Sequence, residues 1–263
     1  MINSITMFSI YLSIILSVFV PVFAVSYGFI KRKLNAGKFL FGILLFLLLR
    51  MLVLSPLAAL FSSLPVFSDL LTNAFFAAMI SALLITLVDV FGKRIGYKYL
   101  IKDTTSFKDI LSIALGQGVA EVFLTLSWRT FNSLLMANVI NNETITDVLA
   151  ETYSSSEIAQ IIAETSAIHM DAYLYLGIGA LCIIVMHIIV AFLVMQAINR
   201  KDNRYILFAI ALLLVFNSTT YTLPLYSYLL TIIILVLFTS GIAYLAYKKK
   251  LFNIMDSDNV ITV

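Results

Sequence analysis

The chain has 263 residues, of which 62% are hydrophobic and 12% are charged, and its formal net charge is +3. A soluble domain is about half apolar and about a quarter charged, so this composition excludes an ordinary soluble globular protein and a disordered chain. The small net charge argues against a nucleic-acid partner, and the single cysteine, Cys182, excludes a scaffold of intrachain disulfides. The composition instead indicates a polytopic helical protein that is embedded in the lipid bilayer.

Seven segments contain the roughly 20 mostly apolar residues that a helix needs to cross the hydrocarbon layer. In chain order they are predicted at about 5–30, 39–61, 70–92, 110–128, 172–198, 205–222 and 227–247. Because backbone polar groups find no water inside a bilayer, each segment is predicted to be α-helical. The first segment lacks a basic start, so we interpret it as a retained span rather than a signal peptide. The predicted fold class is all-α, with residues 1–263 forming one membrane domain.

The basic residues indicate how the spans are oriented. Fifteen of the 17 Lys and Arg residues follow the first, third, fifth and seventh spans, on one side of a seven-span arrangement. These residues are Lys31, Arg32, Lys33, Lys38, Lys93, Arg94, Lys98, Lys102, Lys108, Arg200, Lys201, Arg204, Lys248, Lys249 and Lys250. Since loops rich in Lys and Arg stay in the cytoplasm, the N-terminus is predicted outside and the C-terminus in the cytoplasm.

One long segment between spans, residues 130–171, is predicted to be an outer loop with acidic residues and no Lys or Arg. Within it, Ser156 is a candidate N-cap of a short helix. Four isoleucines would share one face of that helix: Ile158, Ile161, Ile162 and Ile168. Such a helix would either pack at the membrane surface or cover a site as a lid. The sequence leaves both interpretations open.

Four spans carry a polar or ionisable residue inside the hydrocarbon layer, where such groups are costly and usually face other helices. They are Arg50 in the second span, Glu121 in the fourth, His187 in the fifth and Asn217 in the sixth. At about 1.5 Å per residue, all four lie roughly 18–20 Å from the cytoplasmic flanking charges. The sequence therefore predicts a single buried site shared by four helices.

The surroundings of Glu121 extend this predicted site. Gln117 precedes Glu121 by one helical turn and shares its face, while Gly116 and Gly118 leave room for another helix or a substrate backbone. Arg50 is interpreted as a partner of Glu121 rather than as a chemical actor. Each residue also has a structural interpretation as an interhelical hydrogen-bonding group. Three residues near span ends are interpreted as interfacial: Asp89, Trp128 and His169.

A glutamate that faces a histidine in a dry cavity is able to activate a water molecule. Glu121 would act as the general base, and His187 or Gln117 would stabilise the developing oxyanion. Glu121 and His187 supply only two good metal ligands, whereas catalytic zinc usually has three protein ligands and a water. No cofactor is therefore predicted, although a divalent metal at these two residues stays an open alternative.

At these residues the chain resembles the bacterial YhfC family of intramembrane proteases, which is distantly similar to the PrsW proteases and to the anterior-pharynx-defective subunit of γ-secretase. The resemblance covers most of the chain, including an arginine in the second span and a fourth-span motif of the form G-x-G-H-G-x-x-E. Gly116, Gly118 and Glu121 match that motif, and His187 matches the histidine of the fifth span. The chain departs from the family pattern in three spans. In the fourth span Gln117 occupies the position of a histidine, and in the fifth Gly179 and Ala180 occupy the positions of a Glu-Arg pair. In the sixth span Val215 and Thr219 occupy the positions of a His and an Asp, and Asn217 is the nearest polar substitute for them.

The resemblance implies an endopeptidase of the bacterial cytoplasmic membrane that cleaves a transmembrane or signal-like peptide. Several positions of the family pattern are occupied by other residues in this chain, and catalytic residues that act as a unit fail together when one is removed. The alternative is therefore a catalytically degenerate scaffold that binds a transmembrane partner. A small-solute transporter is a third interpretation, which the lack of two matching halves disfavours.

Overall fold

The computed structural model describes residues 2–100, 106–142, 145–150 and 153–252, so that Lys102 of the predicted basic flank lies outside it. The described residues form helices and no strand, and seven of these helices are long and apolar enough to cross a membrane. They are α1 (Ser4–Ile30), α2 (Ala36–Ser63), α3 (Ala74–Leu100), α4 (Phe107–Asn141), α5 (Met170–Asn199), α6 (Arg204–Leu225) and α7 (Tyr228–Lys248). The predicted all-helical, seven-span fold is confirmed, while its orientation across the membrane stays a prediction.

Two helices are longer than the hydropathy pattern indicates. α3 continues to Leu100 rather than ending at 92, and α4 continues to Asn141 rather than 128. Both extensions are richer in polar residues than the predicted spans. They are nevertheless helical, because tertiary packing supports a helix beyond its lipid-facing part. The predicted outer loop is shorter as a result.

Three short helices lie between the spans, over Pro65–Leu71, Ile145–Leu149 and Ser155–Ala167. The predicted helix with the isoleucine face corresponds to Ser155–Ala167, but its N-cap is Ser154, so the prediction of Ser156 is wrong. The Ser154 hydroxyl accepts from the Glu157 backbone N–H at 3.4 Å, and the Glu157 carboxylate accepts from the Ser154 N–H at 2.7 Å. Only Ser154 has a glutamate three residues ahead of it, which completes a capping box.

α5 is the central helix of the bundle and packs against α1, α3, α4, α6 and α7. Of its most apolar stretch, 72% of the residues are buried, compared with 11% for α2. A helix that is apolar on all sides is suited to enclosure by other helices. α2 lies at the edge of the bundle, packs mainly on α4, and exposes large apolar side chains such as Leu44 and Leu48.

Glycines bring α4 close to both of the helices that carry its polar partners. A Cβ atom at Gly116 would collide with the carbonyl oxygen of Phe39 on α2, and one at Gly42 of α2 would collide with the carbonyl oxygen of Ile113. On the other side of α4, a Cβ atom at Gly118 would lie 3.1 Å from the Cα of Ile184 on α5. Small residues allow helix backbones to approach in this way. The space beside Gly116 and Gly118 is thus filled by neighbouring helices rather than left for a substrate.

Candidate active site

Glu121 is the centre of a polar network that joins four helices. Its Oε1 accepts a hydrogen bond from Nη2 of Arg50 at 2.8 Å, and its Oε2 lies 2.6 Å from Nε2 of His187. The same Nη2 of Arg50 lies 3.4 Å from Oδ2 of Asp89 on α3. Glu121, His187 and Asp89 are all buried. The structure therefore brings three of the four residues predicted to lie at one level into direct contact.

Short π-helical segments lie next to two members of this network. Leu49–Leu54 on α2 contains Arg50, and Phe123–Ser127 on α4 begins two residues after Glu121. A π turn inserts an extra residue into the turn, so it changes the direction of the side chains on either side of it, and such turns recur at functional sites. The carbonyl oxygen of Arg50 accepts two hydrogen bonds from Ser55, one from its backbone N–H and one from its hydroxyl at 3.0 Å.

A cavity of about 20 Å³ lies beside the network and has room for one water molecule. Asp89, Glu121 and His187 line it, together with residues of α5 and α6. Asn217, the fourth predicted residue, is part of this wall, and its side-chain amide donates to the hydroxyl of Thr86 on α3 at 3.0 Å. Asn217 thus reaches the cavity but is bonded to α3 rather than to Glu121.

Gln117 lies outside the cavity, contrary to the predicted role as an oxyanion donor. Its Oε1 accepts from the hydroxyl of Tyr97 at 3.3 Å, and both side chains are buried. One helical turn separates Gln117 from Glu121, which is a difference in depth of about 6 Å. Two side chains on the same face of a helix therefore have different partners: Gln117 contacts Tyr97 on α3, whereas Glu121 contacts residues of α2 and α5.

The sequence interpretation misses two ionisable residues of the network. Asp89 is interpreted above as interfacial, but it is 3% exposed and lines the cavity. Lys93 is assigned to the basic flank, but it is 1% exposed and lies within electrostatic range of Asp89, Glu121 and Arg50. Because α3 continues to Leu100, both residues lie well inside the helix. The available signal was the spacing of Asp89, Lys93 and Tyr97, which repeats every four residues and places them on one helix face.

The charges of this network compensate one another. Arg50 forms ion pairs with Asp89 and Glu121, and at formal charges Lys93 adds a second basic group to these two acidic ones. A buried charge without a partner costs several kcal/mol, and this cost is greater still where lipid replaces water. Two basic and two acidic side chains beside one another lower this cost, which explains how a bundle of apolar helices accommodates all four.

Asp89, Glu121 and His187 also form a group able to hold a metal ion, since one ligand atom from each lies within 4.8 Å of the others. With Asp89 included, the number of protein ligands rises from the predicted two to the three that a catalytic zinc site uses. The Nδ1 atom of His187 is buried without a partner among the described residues, so a second protein group does not constrain this imidazole. The donor set fits a divalent cation, which would compete with Arg50 for the carboxylate oxygens.

A seven-helix bundle that encloses a carboxylate–imidazole pair beside a water-sized cavity is, as a class, a multi-pass membrane protein with a site suited to hydrolysis. The sequence model of the YhfC intramembrane metalloprotease family matches residues 16–240, a range that includes every residue of the network. The chain therefore belongs to this family, as the resemblance predicts. No curated protein and no solved structure matches the chain. The similarity to PrsW and to the γ-secretase subunit stays a prediction.

Proposed function

We propose that this protein is an intramembrane endopeptidase in which Glu121 and His187 activate a water molecule against a peptide bond. The observation that supports this most directly is the 2.6 Å contact between Glu121 Oε2 and His187 Nε2 at the wall of a cavity of about 20 Å³. A buried base, a second group that shares its proton and space for one water are the minimum that hydrolysis by general-base catalysis needs.

In the proposed reaction, Glu121 accepts a proton as the water oxygen attacks the peptide carbonyl carbon. The proton then passes to the amide nitrogen as the C–N bond breaks, which yields a carboxylic acid and an amine and returns Glu121 to its carboxylate form. His187 shares the proton with Glu121 Oε2, and Arg50 holds Oε1, so that Oε2 stays directed at His187. Tyr221 also lines the cavity, and its hydroxyl is a candidate donor to the oxyanion that forms during the attack.

A divalent cation fits the same site, where Asp89, Glu121 and His187 would hold it. When bound, such an ion acts as a Lewis acid that polarises the carbonyl and supplies a nucleophilic water. Asp89 and Glu121 would bring two negative charges to the ion from two helices, and Arg50 would be the nearest basic side chain to orient them.

The surroundings of the site indicate the class of substrate. The outer faces of the helices around it are apolar, as Met51 and Leu52 on α2 show with exposures of 67% and 68%. A peptide that approaches through lipid must itself be apolar, because its backbone and side chains have no water to bind there. This supports a transmembrane or signal-like segment as the substrate.

The decisive experiment is cleavage of a panel of tagged single-span and signal-peptide substrates by the purified protein, compared with Glu121→Gln. We expect the substitution to reduce cleavage by about 10²–10⁴-fold. Glu164→Gln is the matched control, since Glu164 is an exposed residue on the short helix Ser155–Ala167, where it accepts a hydrogen bond from Gln160. Cleavage by Glu121→Gln at the normal rate, in a folded protein, would exclude the proposed mechanism.

The second candidate function is a membrane scaffold that binds a transmembrane partner without cleaving it. Two observations favour it: Gln117 is bonded to Tyr97 instead of facing the cavity, and Arg50 compensates the charge of Glu121. Under this alternative, neither the natural protein nor Glu121→Gln cleaves any substrate of the panel, and both retain the same co-purifying partner.

A further inference from the structure

A second cavity lies outside the polar network, between α5, α6 and α7 at the end of the bundle where α5 ends and α6 begins. Its volume is about 580 Å³. Most of its wall is apolar and consists of Ile189, Leu193, Phe208, Leu212, Ile242, Leu245 and Ala246. Three basic residues, Arg200, Lys249 and Lys250, line the same cavity near the ends of α5 and α7. We refer to it below as the basic-ended groove.

The depth of the basic-ended groove corresponds to one leaflet of a bilayer. Ile189 precedes Arg200 by 11 residues along α5, which is a distance of about 16 Å at 1.5 Å per residue. The hydrocarbon core of a bilayer is about 30 Å thick, so one leaflet contributes about 15 Å. The groove therefore runs from the charged helix ends to the middle of the membrane, the depth that one acyl chain occupies.

Arg200, Lys249 and Lys250 bring three basic side chains to the mouth of the groove. Among the described residues no carboxylate lies within salt-bridge distance of these three, although Asp202, which pairs with Arg204 at 2.8 Å, is close enough to Arg200 to interact with it electrostatically. The Nε of Arg200 donates to Gln196 Oε1 at 2.9 Å, and its guanidinium carbon lies 5.5 Å from the centre of the Tyr205 ring. Arg200 is thus held at the mouth of the groove, which Lys249 and Lys250 also line, so three basic side chains are available there to an anionic headgroup.

We propose that the basic-ended groove binds an anionic phospholipid, with the phosphate at Arg200, Lys249 and Lys250 and one acyl chain along the apolar wall. A guanidinium forms paired hydrogen bonds with phosphate oxygens, and basic pockets between helices at the cytoplasmic side are typical sites for anionic headgroups. The exposed side chains of Phe208 and Leu245 connect the groove to the surrounding lipid. The predicted orientation places this end in the cytoplasmic leaflet, where anionic lipids concentrate.

Native mass spectrometry of the purified protein, titrated with phosphatidylglycerol or with phosphatidylcholine of the same acyl chains, tests this proposal. We expect the protein to retain phosphatidylglycerol at least tenfold more tightly than phosphatidylcholine. The triple variant R200Q/K249Q/K250Q should lose that preference. The matched variant K31Q/R32Q/K33Q removes the same charge from the end of α1 on the same predicted side of the membrane, and it should keep the preference.

A second variant, Ala246→Phe, tests the apolar part of the groove, because the larger side chain occupies the wall while every charge remains. We expect it to weaken phosphatidylglycerol binding, with thermal unfolding used to select folded protein. Equal retention of the two lipids by the natural protein would overturn the proposal. Equal loss in the two triple variants, or a peptide or second copy of the chain bound in place of lipid, would overturn it as well.

Discussion

One guanidinium on α2 connects the carboxylates of two other helices: Arg50 Nη2 lies 2.8 Å from Glu121 Oε1 and 3.4 Å from Asp89 Oδ2. The side chain of Arg50 is only 16% exposed. If the guanidinium were removed, little water would therefore reach either carboxylate to replace it. Arg50 thus links the stability of the bundle to the position of the proposed general base.

Replacement of Arg50 by methionine should destabilise the protein, because it leaves two buried carboxylates without their cation. We expect the free energy of unfolding to fall by about 3–5 kcal/mol, the usual cost of removing one partner of a buried pair. Reversible unfolding in mixed detergent micelles measures it. Arg32→Met is the control, since Arg32 is exposed beyond the end of α1 and should change the free energy by less than about 0.5 kcal/mol.

The double variant Arg50→Met with Glu121→Gln separates this charge effect from simple loss of packing. With the carboxylate neutralised, the absence of Arg50 costs less, so the double variant should be more stable than the sum of the two single effects predicts. Strict additivity of the two losses would show that Arg50 and Glu121 do not interact.

His187 and Glu121 should behave as one unit in catalysis. Each single substitution to glutamine is expected to reduce cleavage by about 10²–10⁴-fold, and the double variant should be little worse than either. The rate of cleavage of the best panel substrate measures this, at protein concentrations matched by folded fraction. Multiplication of the two losses in the double variant would mean that the residues act independently, against the 2.6 Å contact.

Asp89 should contribute to metal binding if the three-residue group holds a divalent cation. Asp89→Asn is expected to weaken zinc binding at least tenfold, because the donor set falls to the two ligands of Glu121 and His187. Equilibrium dialysis followed by elemental analysis measures the bound metal. Asp109→Asn is the control, since Asp109 contacts Asn35 near the start of α4, about 18 Å along the helix from Glu121. Equal zinc affinity in the natural protein and Asp89→Asn would contradict the assignment.

The glycine contacts of α4 make a prediction about packing. Gly42→Ala and Gly116→Ala should each destabilise the bundle by about 2 kcal/mol or more, because the added methyl group meets a backbone carbonyl oxygen that cannot move alone. Gly241→Ala is the matched control, with no atom within 4 Å of the added carbon and a gain in helix propensity. The free energies of unfolding of the three variants, obtained from their unfolding curves, test this prediction. Equal stability of all three would contradict the close approach of α2 and α4.

Much of the site was predictable because the rise of a helix is constant. Counting residues from the basic flanks places Arg50, Glu121 and His187 at one level, and the structure shows the three in contact. The count fails for Asp89 because it assumes that α3 ends where its apolar run ends. It also fails for Gln117, since a shared helix face does not specify which partner lies opposite each turn.

The class of protein, the seven helices and the depth of their polar residues follow from the order of amino acids alone. They do so because a bilayer imposes its own thickness and polarity on any chain that crosses it. Which polar groups meet depends on how the helices pack. This packing brings Asp89 and Lys93 into the network and leaves Gln117 bonded to Tyr97. The rotation and separation of helices depend on close contacts such as those of Gly42, and the periodicity of a single helix contains no information about its neighbours.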